Sequence, residues 1–202
     1  MRTLKYSILG LLMQAPTTGY DISKAFGGEL GCFWSAKHSQ IYPELKRLVE
    51  EGLVQYSTVI QGEKLEKKLY EITDEGKADF LQWLEQDPPL DPTPKDVFRL
   101  RSYYSQWLPE ETYLDLIQKQ IEKRSVKLNY LSGCLEASYG DVDPLTLTGP
   151  ARGDYLVLLS AVMREQTYME WLLKSQKLVS AWAELNTIQG EDCASQPEGI
   201  DI

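Results

Sequence analysis

Apolar positions in the first fifty residues recur at helical intervals and predict three helices. In the first helix, apolar residues repeat every three or four positions from Leu4 to Leu12, and Pro16 ends the pattern. The apolar residues between Tyr20 and Phe26 predict a short second helix. The third carries the apolar residues of segment 41–49 on one face, and Gly52 follows as a C-terminal stop. Because Pro43 is tolerated only in a first turn, we expect this helix to begin near Ser39 or Gln40.

The pattern then changes to that of a β-hairpin. Segments 53–60 and 65–72 are rich in β-branched and aromatic residues, and Gln61-Gly62-Glu63-Lys64 between them is typical of a turn. Thr73 then reads as the N-cap of a fourth helix with acidic residues in its first turn. The order helix, helix, helix, hairpin, helix predicts a winged helix-turn-helix within a mainly α-helical chain.

Prolines and polar segments predict the domain boundaries. Residues 87–94, DPPLDPTP, contain four prolines and can be neither helix nor central strand. We therefore predict a winged helix-turn-helix domain over residues 1–86, a linker over 87–94 and a helical domain over 95–186. Residues 187–202 are predicted to form a disordered tail. At the end of the linker, Thr93 is the expected N-cap of the first helix of the helical domain, which ends near Trp107.

A long helix over about residues 109–137 carries a heptad pattern. Apolar residues alternate at intervals of three and four, with Arg124 as the one interruption. At 1.5 Å per residue the helix would be about 43 Å long, and a last helix at about 152–185 is apolar nearly all round in its first half. We expect these helices to pair two subunits; an antiparallel hairpin within one chain is the alternative. The predicted dimerisation residues are Leu114, Ile117, Ile121, Leu128, Leu131 and Leu135.

The net charge changes this picture only when it is divided along the chain. The whole sequence has 30 acidic and 21 basic residues, which taken alone argues against a nucleic-acid partner. The first 49 residues, however, contain six basic and three acidic residues. The acidic excess therefore lies behind the predicted helix-turn-helix.

The third helix and the hairpin carry the side chains that DNA binding would need. In a winged helix the third helix enters a major groove about 12 Å wide, while the wing reaches the flanking backbone. Opposite the apolar face, the third helix presents polar and basic groups, and lysines crowd the hairpin tip. Tyr42 projects nearer the apolar side, so we expect a packed ring with an exposed hydroxyl. The candidate DNA-binding residues are Ser39, Gln40, Tyr42, Pro43, Lys46, Arg47, Lys64, Lys67 and Lys68; solvated surface cations are the alternative.

Two strings of this sequence resemble the signature of the PadR family of bacterial transcriptional regulators. They are HSQIYPELKRLVEEGLV (residues 38–54) and KKLYEITDEGKADFLQWL (residues 67–84), and residues 4–27 are similar to the opening of that family. The resemblance covers about the first 85 residues. It implies a homodimeric, non-enzymatic regulator that binds double-stranded operator DNA, most often as a repressor, and is relieved by a small molecule or a cellular signal.

The resemblance also assigns the candidate residues to elements. It places the residues between Ser39 and Arg47 on the recognition helix and the three lysines on the wing. Glu63 and Glu66 depart from the more uniformly basic wing of relatives. The second half is similar to the C-terminal helical domain of virulence-activator relatives, which pairs two subunits. The alternative function is a winged-helix dimer that serves protein interaction or ligand sensing, with weak or no DNA binding.

Enzymatic, metal and membrane functions are not indicated. His38 is the only histidine, no G-x-S-x-G motif exists, and we expect neither metal nor cofactor. Cys32, Cys134 and Cys193 are too far apart for a zinc site or a disulfide framework, which fits a reducing cytoplasm. The longest nearly apolar stretch, residues 155–163, is much shorter than the roughly 20 residues of a membrane-spanning helix.

Aromatic residues suggest a site for a small-molecule effector. Six of them flank the predicted linker or lie on the last helix, where they could line a pocket between the DNA-binding domain and the dimerisation helices. Packing in the core is the alternative for each. The residues are Trp83, Tyr103, Tyr104, Trp107, Tyr168 and Trp171.

Overall fold

The chain divides into two units at the proline-rich segment. The computed structural model describes residues 2–27, 37–61, 65–90 and 93–194, with side chains except those of residues 60, 61, 65, 66 and 187–194. The two units are Met1–Pro92 and Thr93–Ile202. Their division falls within the segment that the sequence predicts as a linker.

The first unit has the predicted winged-helix order. Its core consists of the apolar faces of the first three helices and the inward side chains of the hairpin, with Ile8, Ile22, Ile41 and Leu45 fully buried. Leu48 completes the apolar face of the third helix. The elements are α1 (Thr3–Gln14), β1 (Thr17–Thr18), α2 (Gly19–Gly27), α3 (His38–Glu50), β2 (Val54–Gln61), β3 (Leu65–Ile72) and α4 (Asp74–Leu84).

The wing belongs to a sheet of three strands rather than two. β2 pairs with β3 in antiparallel register, with Val54 opposite Ile72, and β1 adds to the other edge of β3 through Thr17 opposite Tyr70. β1 was not predicted, because a strand of two residues is too short to show an alternating pattern. It joins the segment before α2 to the base of the wing.

The turn after α3 connects three elements. Gly52 has φ +73°, a conformation that favours glycine, and its N–H donates to the Val49 carbonyl at 3.1 Å. The Thr73 hydroxyl donates to the Gly52 carbonyl at 2.7 Å and accepts from the Gly76 N–H at 3.0 Å. Thr73 is therefore the predicted N-cap of α4, and it also ties this helix to the end of α3.

The start of α3 differs from the expected position. The helix begins at His38, so Pro43 lies in its second turn. Proline has no N–H, and the Ser39 carbonyl therefore lacks the usual intrahelical donor. The helix tolerates this loss because Ser39 is exposed, where water can supply the missing hydrogen bond.

The second unit is built from helices. They are α5 (Val97–Tyr103), a 3-10 turn (Ser105–Trp107), α6 (Glu110–Tyr139), a second 3-10 turn (Pro144–Thr146) and α7 (Gly149–Ala194). Asp96, not the expected Thr93, caps α5, and its side chain accepts from the N–H groups of Phe98 and Arg99. α7 continues past residue 186 into the predicted tail, since no proline interrupts the sequence there; residues 195–202 lie outside the described residues.

α6 and α7 form an antiparallel hairpin. Hydrogen bonds connect them along their length, among them those of Tyr139 to Asp154 at 2.6 Å, Gln176 to Gln118 at 3.0 Å, and Asn186 to Glu110 at 2.8 Å. Their shared core contains Phe98, Tyr113, Ile117, Tyr168, Leu172 and Val179. Among the described residues, no helix combines the length and the apolar character needed to cross a membrane.

Candidate nucleic-acid interface

The outer face of α3 presents the side chains that the sequence predicts. Ser39, Gln40, Pro43, Lys46 and Arg47 are all exposed, while the apolar residues of the helix face the core. Lys46 has an exposed ammonium 3.7 Å from Glu50. The structure therefore brings these five residues together on one surface with two cationic groups.

Gln40 has a structural contact at the start of α3. Its side-chain oxygen accepts a hydrogen bond from the backbone N–H of Lys37 at 3.1 Å, which satisfies one of the groups left unpaired at a helix N-terminus. The exposed amide NH2 group can still donate to an acceptor outside the protein.

The ring of Tyr42, a residue of α3, packs against Gly19, the first residue of α2. Its ring is 41% exposed, and a Cβ atom added to Gly19 would come within 2.8 Å of its Cε1 atom. The ring is also 5.0 Å from that of His38, centroid to centroid. Gly19 thus leaves the space that Tyr42 occupies, as the expected packed ring requires.

The wing contributes two described lysines. Lys68 Nζ lies 4.1 Å from the centre of the Tyr56 ring, a cation–π contact that holds the ammonium at the surface. Lys64 and Glu63 lie outside the described residues, as does the side chain of Glu66.

A cavity of about 410 Å³ joins the wing to α2 and α3. Tyr20 stands at its rim and is 66% exposed. Periodicity does not single out Tyr20, because a tyrosine at the start of a short helix fits an apolar pattern as well as a polar surface. The cavity is lined by Thr18, Gly19, Tyr20, Tyr42, Lys67, Lys68 and Tyr70.

The heptad residues of α6 are mostly covered by α7 of the same chain. Ile117 and Leu131 are buried, and Leu114 and Ile121 pack against the same core. The hairpin alternative therefore accounts for much of the pattern assigned to dimerisation. Leu128 and Leu135 are half-buried. Large apolar side chains remain exposed elsewhere in this unit: Val126, Tyr130, Leu156, Met163, Leu173, Leu178, Trp182 and Leu185.

The six aromatic residues predicted to line an effector pocket divide between the two units. Trp83 belongs to the first unit, where its ring stacks on Tyr6 at 4.4 Å. Tyr168 and Trp171 pack edge to face on α7 at 5.1 Å. The remaining three, Tyr103, Tyr104 and Trp107, are exposed at 75%, 52% and 81%. Of the six, only Tyr168 lines a pocket that α5, α6 and α7 form in the second unit.

That pocket, of about 690 Å³, is rich in arginine. Four arginines and a lysine line it, and Asp96 is the one acidic residue among its described lining residues. Phe98 and Tyr168 add aromatic surface. In the heptad pattern Arg124 is only an interruption, although a cation within an apolar seam is also a signal of a buried polar site. The cationic lining residues are Lys95, Arg99, Arg101, Arg124 and Arg164.

A buried carboxylate binds Arg124, one of the residues that line the pocket. Glu165 is 1% exposed and pairs with Arg124 and Lys127, each at 2.7 Å. Burial opposes the charge on Glu165, yet its pKa lies below the ordinary value because Lys127 and Arg124 donate hydrogen bonds to it. The Arg124 guanidinium lies 3.7 Å from the centre of the Tyr168 ring.

Asp96 and Tyr168 both line the pocket, and each affects the ionisation of the other. Burial raises the pKa of Tyr168 to about 12, and the neighbouring Asp96 carboxylate acts in the same direction. Burial also disfavours the charged form of Asp96, but its pKa is lowered by the Tyr168 hydroxyl and by the N–H groups that it caps. The pocket is thus a cationic site with one ionised carboxylate at the N-terminus of α5.

A helix-turn-helix with a hairpin wing and an exposed basic face on its third helix defines a winged-helix transcriptional regulator. A family model described as the transcriptional regulator PadR-like family matches residues 8–82, and a model of the virulence activator alpha C-terminal domain matches residues 94–180. Together with the relatives below, these matches show that the chain belongs to the PadR-like family of transcriptional regulators.

The relatives extend over nearly the whole chain. The negative transcriptional regulator PadR of Bacillus subtilis (strain 168) is 48% identical over 172 residues, which are 85% of this chain and 94% of the relative. The crystal structure of Bacillus subtilis PadR with operator DNA matches with a TM-score of 0.83 and 45% identity, covering 88% of this chain and 99% of that one. Its structure with p-coumaric acid matches with a TM-score of 0.79 and 41% identity over 89% and 99%.

Proposed function

We propose that this protein is a homodimeric transcriptional repressor that binds operator DNA through α3 and the wing. The observation that carries the proposal is the exposed outer face of α3, where Lys46 and Arg47 stand beside polar side chains. Lys67 and Lys68 on the wing extend the cationic surface toward the flanking phosphates. The relative from Bacillus subtilis, solved with operator DNA, supports this assignment. Action on DNA also implies a cytoplasmic protein.

Binding to the DNA upstream of the protein's own gene tests the proposal. We expect a shifted band with that fragment and not with a scrambled fragment of equal length. Arg47→Ala should weaken the specific complex by about tenfold or more, as the loss of a base or phosphate contact does. Equal affinity for both fragments would contradict the proposed repressor function. The remaining candidate would then be a ligand-sensing dimer with weak or no DNA binding.

The second unit supplies a site for an effector. Arginines on three helices converge on a pocket that also offers two aromatic rings, which suits an aromatic carboxylic acid. The relative from Bacillus subtilis was solved with p-coumaric acid, which combines an aromatic ring with a carboxylate. We assign the pocket to an effector of this class. Its binding would shift the population between DNA-binding and non-binding forms of the dimer.

The second unit also supplies the surface for dimerisation. In the single chain, large apolar side chains of α6 and α7 are exposed, and an apolar surface of this kind marks an interface. Leu128 and Leu135 are only half-buried within the chain, and a partner subunit would cover the rest of their surface. A two-fold dimer would present two recognition helices to successive turns of an operator.

A further inference from the structure

The recognition helix contains a buried acid that the sequence does not explain. Glu44 is 9% exposed and lies among the apolar residues on the inner face of α3. A buried carboxylate is costly unless cations or hydrogen-bond donors compensate it. Glu44 is also the only acidic residue between Lys37 and Val49, on the helix that carries the candidate DNA-binding side chains.

Arg2 supplies that compensation from outside the helix-turn-helix. Its Nε and Nη2 atoms donate to Glu44 Oε1 at 3.1 and 2.5 Å. Its Nη1 atom donates to Glu51, the residue that ends α3. One guanidinium at the start of α1 therefore binds two carboxylates of the recognition helix, one in its middle and one at its end.

The other oxygen of Glu44 faces Arg47. Arg47 Nη1 lies 3.9 Å from Glu44 Oε2, one helical turn away, and the Arg47 side chain is 58% exposed. This distance is long for an ion pair, whereas the contacts to Arg2 are short. Glu44 is thus neutralised mainly by Arg2, and the Arg47 side chain stays exposed.

From this arrangement we infer that Arg2 is a positioning residue for DNA binding. It occupies the Glu44 carboxylate, so that Arg47 remains available to DNA instead of forming a closed ion pair within α3. Without Arg2, the uncompensated buried carboxylate would draw the Arg47 guanidinium inward. It would also present a negative charge beneath the surface that approaches phosphates. The inference rests on the proposed function, in which Arg47 contacts DNA.

Four variants of the full-length protein test this role, with binding to the DNA upstream of its own gene measured over a range of salt concentrations. Arg2→Ala should lower the affinity by about tenfold and the salt slope by about one, as Arg47→Ala does. The double variant Arg2→Ala/Glu44→Gln should recover both values, because it removes the acid that Arg2 compensates. Glu51→Gln, which removes only the other partner of Arg2, should bind as the unchanged protein does.

Glu44→Gln alone distinguishes positioning from a simple structural role. A neutral side chain of the same size keeps the fold, so the inference predicts affinity equal to or above that of the unchanged protein. A loss of affinity in Glu44→Gln would show that Glu44 itself orients Arg47 and would overturn the inference. This single variant also tests it if Arg2→Ala does not fold, which far-ultraviolet circular dichroism would detect.

The failures of the two proposals are distinguishable. If binding falls in Arg47→Ala but not in folded Arg2→Ala, the role of Arg2 alone is overturned. The same holds if adding Glu44→Gln to Arg2→Ala does not restore binding. An unchanged protein that does not bind the fragment overturns the proposed function and, with it, the inference.

Discussion

Among the described glycines of the first unit, Gly76 is the one at which an added Cβ atom would come closest to its neighbours. A Cβ atom there would lie 2.1 Å from the Leu53 carbonyl oxygen and 2.8 Å from Ile72 Cγ1. The first of these neighbours is backbone and belongs to the turn that joins α3 to the hairpin, so it cannot move without displacing both elements. The absence of a side chain at Gly76 therefore allows α4 to pack closely on that turn.

We expect Gly76→Ala to lower the free energy of unfolding by about 3 kcal/mol or more, because overpacking against backbone cannot be relieved by side-chain rotation. The midpoint of urea unfolding, followed by far-ultraviolet circular dichroism, measures this. Gly27→Ala is the control, since a Cβ atom at Gly27 meets no atom within 4 Å. Equal midpoints for the two variants would refute the close approach of α4.

Glu165 makes the stability of the second unit depend on pH. Because its pKa is lowered in the folded chain, its ionised form contributes stability above the ordinary pKa of 4.5. That contribution is lost as the pH falls through the lowered folded pKa. The opposite dependence would require a raised pKa, which the contacts with Lys127 and Arg124 exclude.

Replacing Glu165 by Gln should cost about 3 kcal/mol at neutral pH, because it leaves the buried side of Arg124 without a counter-charge. The cost should shrink as the pH falls below 4.5 and through the lowered folded pKa, where the unchanged protein also loses the charge. Urea midpoints of both proteins, measured from neutral to acidic pH, provide the comparison. A cost that is absent at neutral pH, or that stays constant in acid, would contradict the pairing.

At the scale of elements, α3 and the hairpin were predicted to within one or two residues. Their periods of 3.6 and 2 are long enough to be read, and Gly52 and Thr73 mark their ends. The start of α5 was predicted less well, because Thr93 and Asp96 are both good N-caps in sequence. Only the observed hydrogen bonds of Asp96 decide between them.

The heptad pattern of α6 does not predict which helix packs against it. Apolar residues at intervals of three and four require a second helix, but the pattern is the same whether that helix belongs to the same chain or to another. In the structure, α7 covers Ile117 and Leu131. The arginine-rich pocket was equally hidden, because its residues come from three helices and have no common spacing in sequence.

The pocket between α5, α6 and α7 carries a prediction of its own. We expect p-coumaric acid to weaken binding to the upstream DNA of this protein, and Arg164→Ala to raise the concentration required by about tenfold. The reason is that one charge-assisted hydrogen bond to the carboxylate would be lost. Lys174→Ala, an exposed cation on α7 outside the pocket, is the control. If both variants respond equally to p-coumaric acid, the assignment of the effector to this pocket is wrong.

At the scale of the whole molecule, the exposed apolar residues of α7 predict a homodimer. Sedimentation at micromolar concentration should give the mass of two chains. Leu178→Glu/Leu185→Glu should give one, because burial of each leucine contributes about 1.5–3 kcal/mol and each change occurs twice in a two-fold dimer. Lys177→Glu alters charge without removing apolar surface and should remain dimeric. A monomeric unchanged protein would contradict the proposed assembly.

The division of charge leads to the central claim, that a chain with a net charge of −9 binds operator DNA through the exposed cationic side chains of α3 and the wing. The most direct measurement is the affinity for its own upstream DNA as a function of salt concentration. The account predicts a steep linear decrease on logarithmic axes, with a slope of about −0.9 per neutralised phosphate, and a shallower slope for Arg47→Ala and Lys68→Ala. An affinity indifferent to salt, or slopes unchanged in both variants, would contradict it.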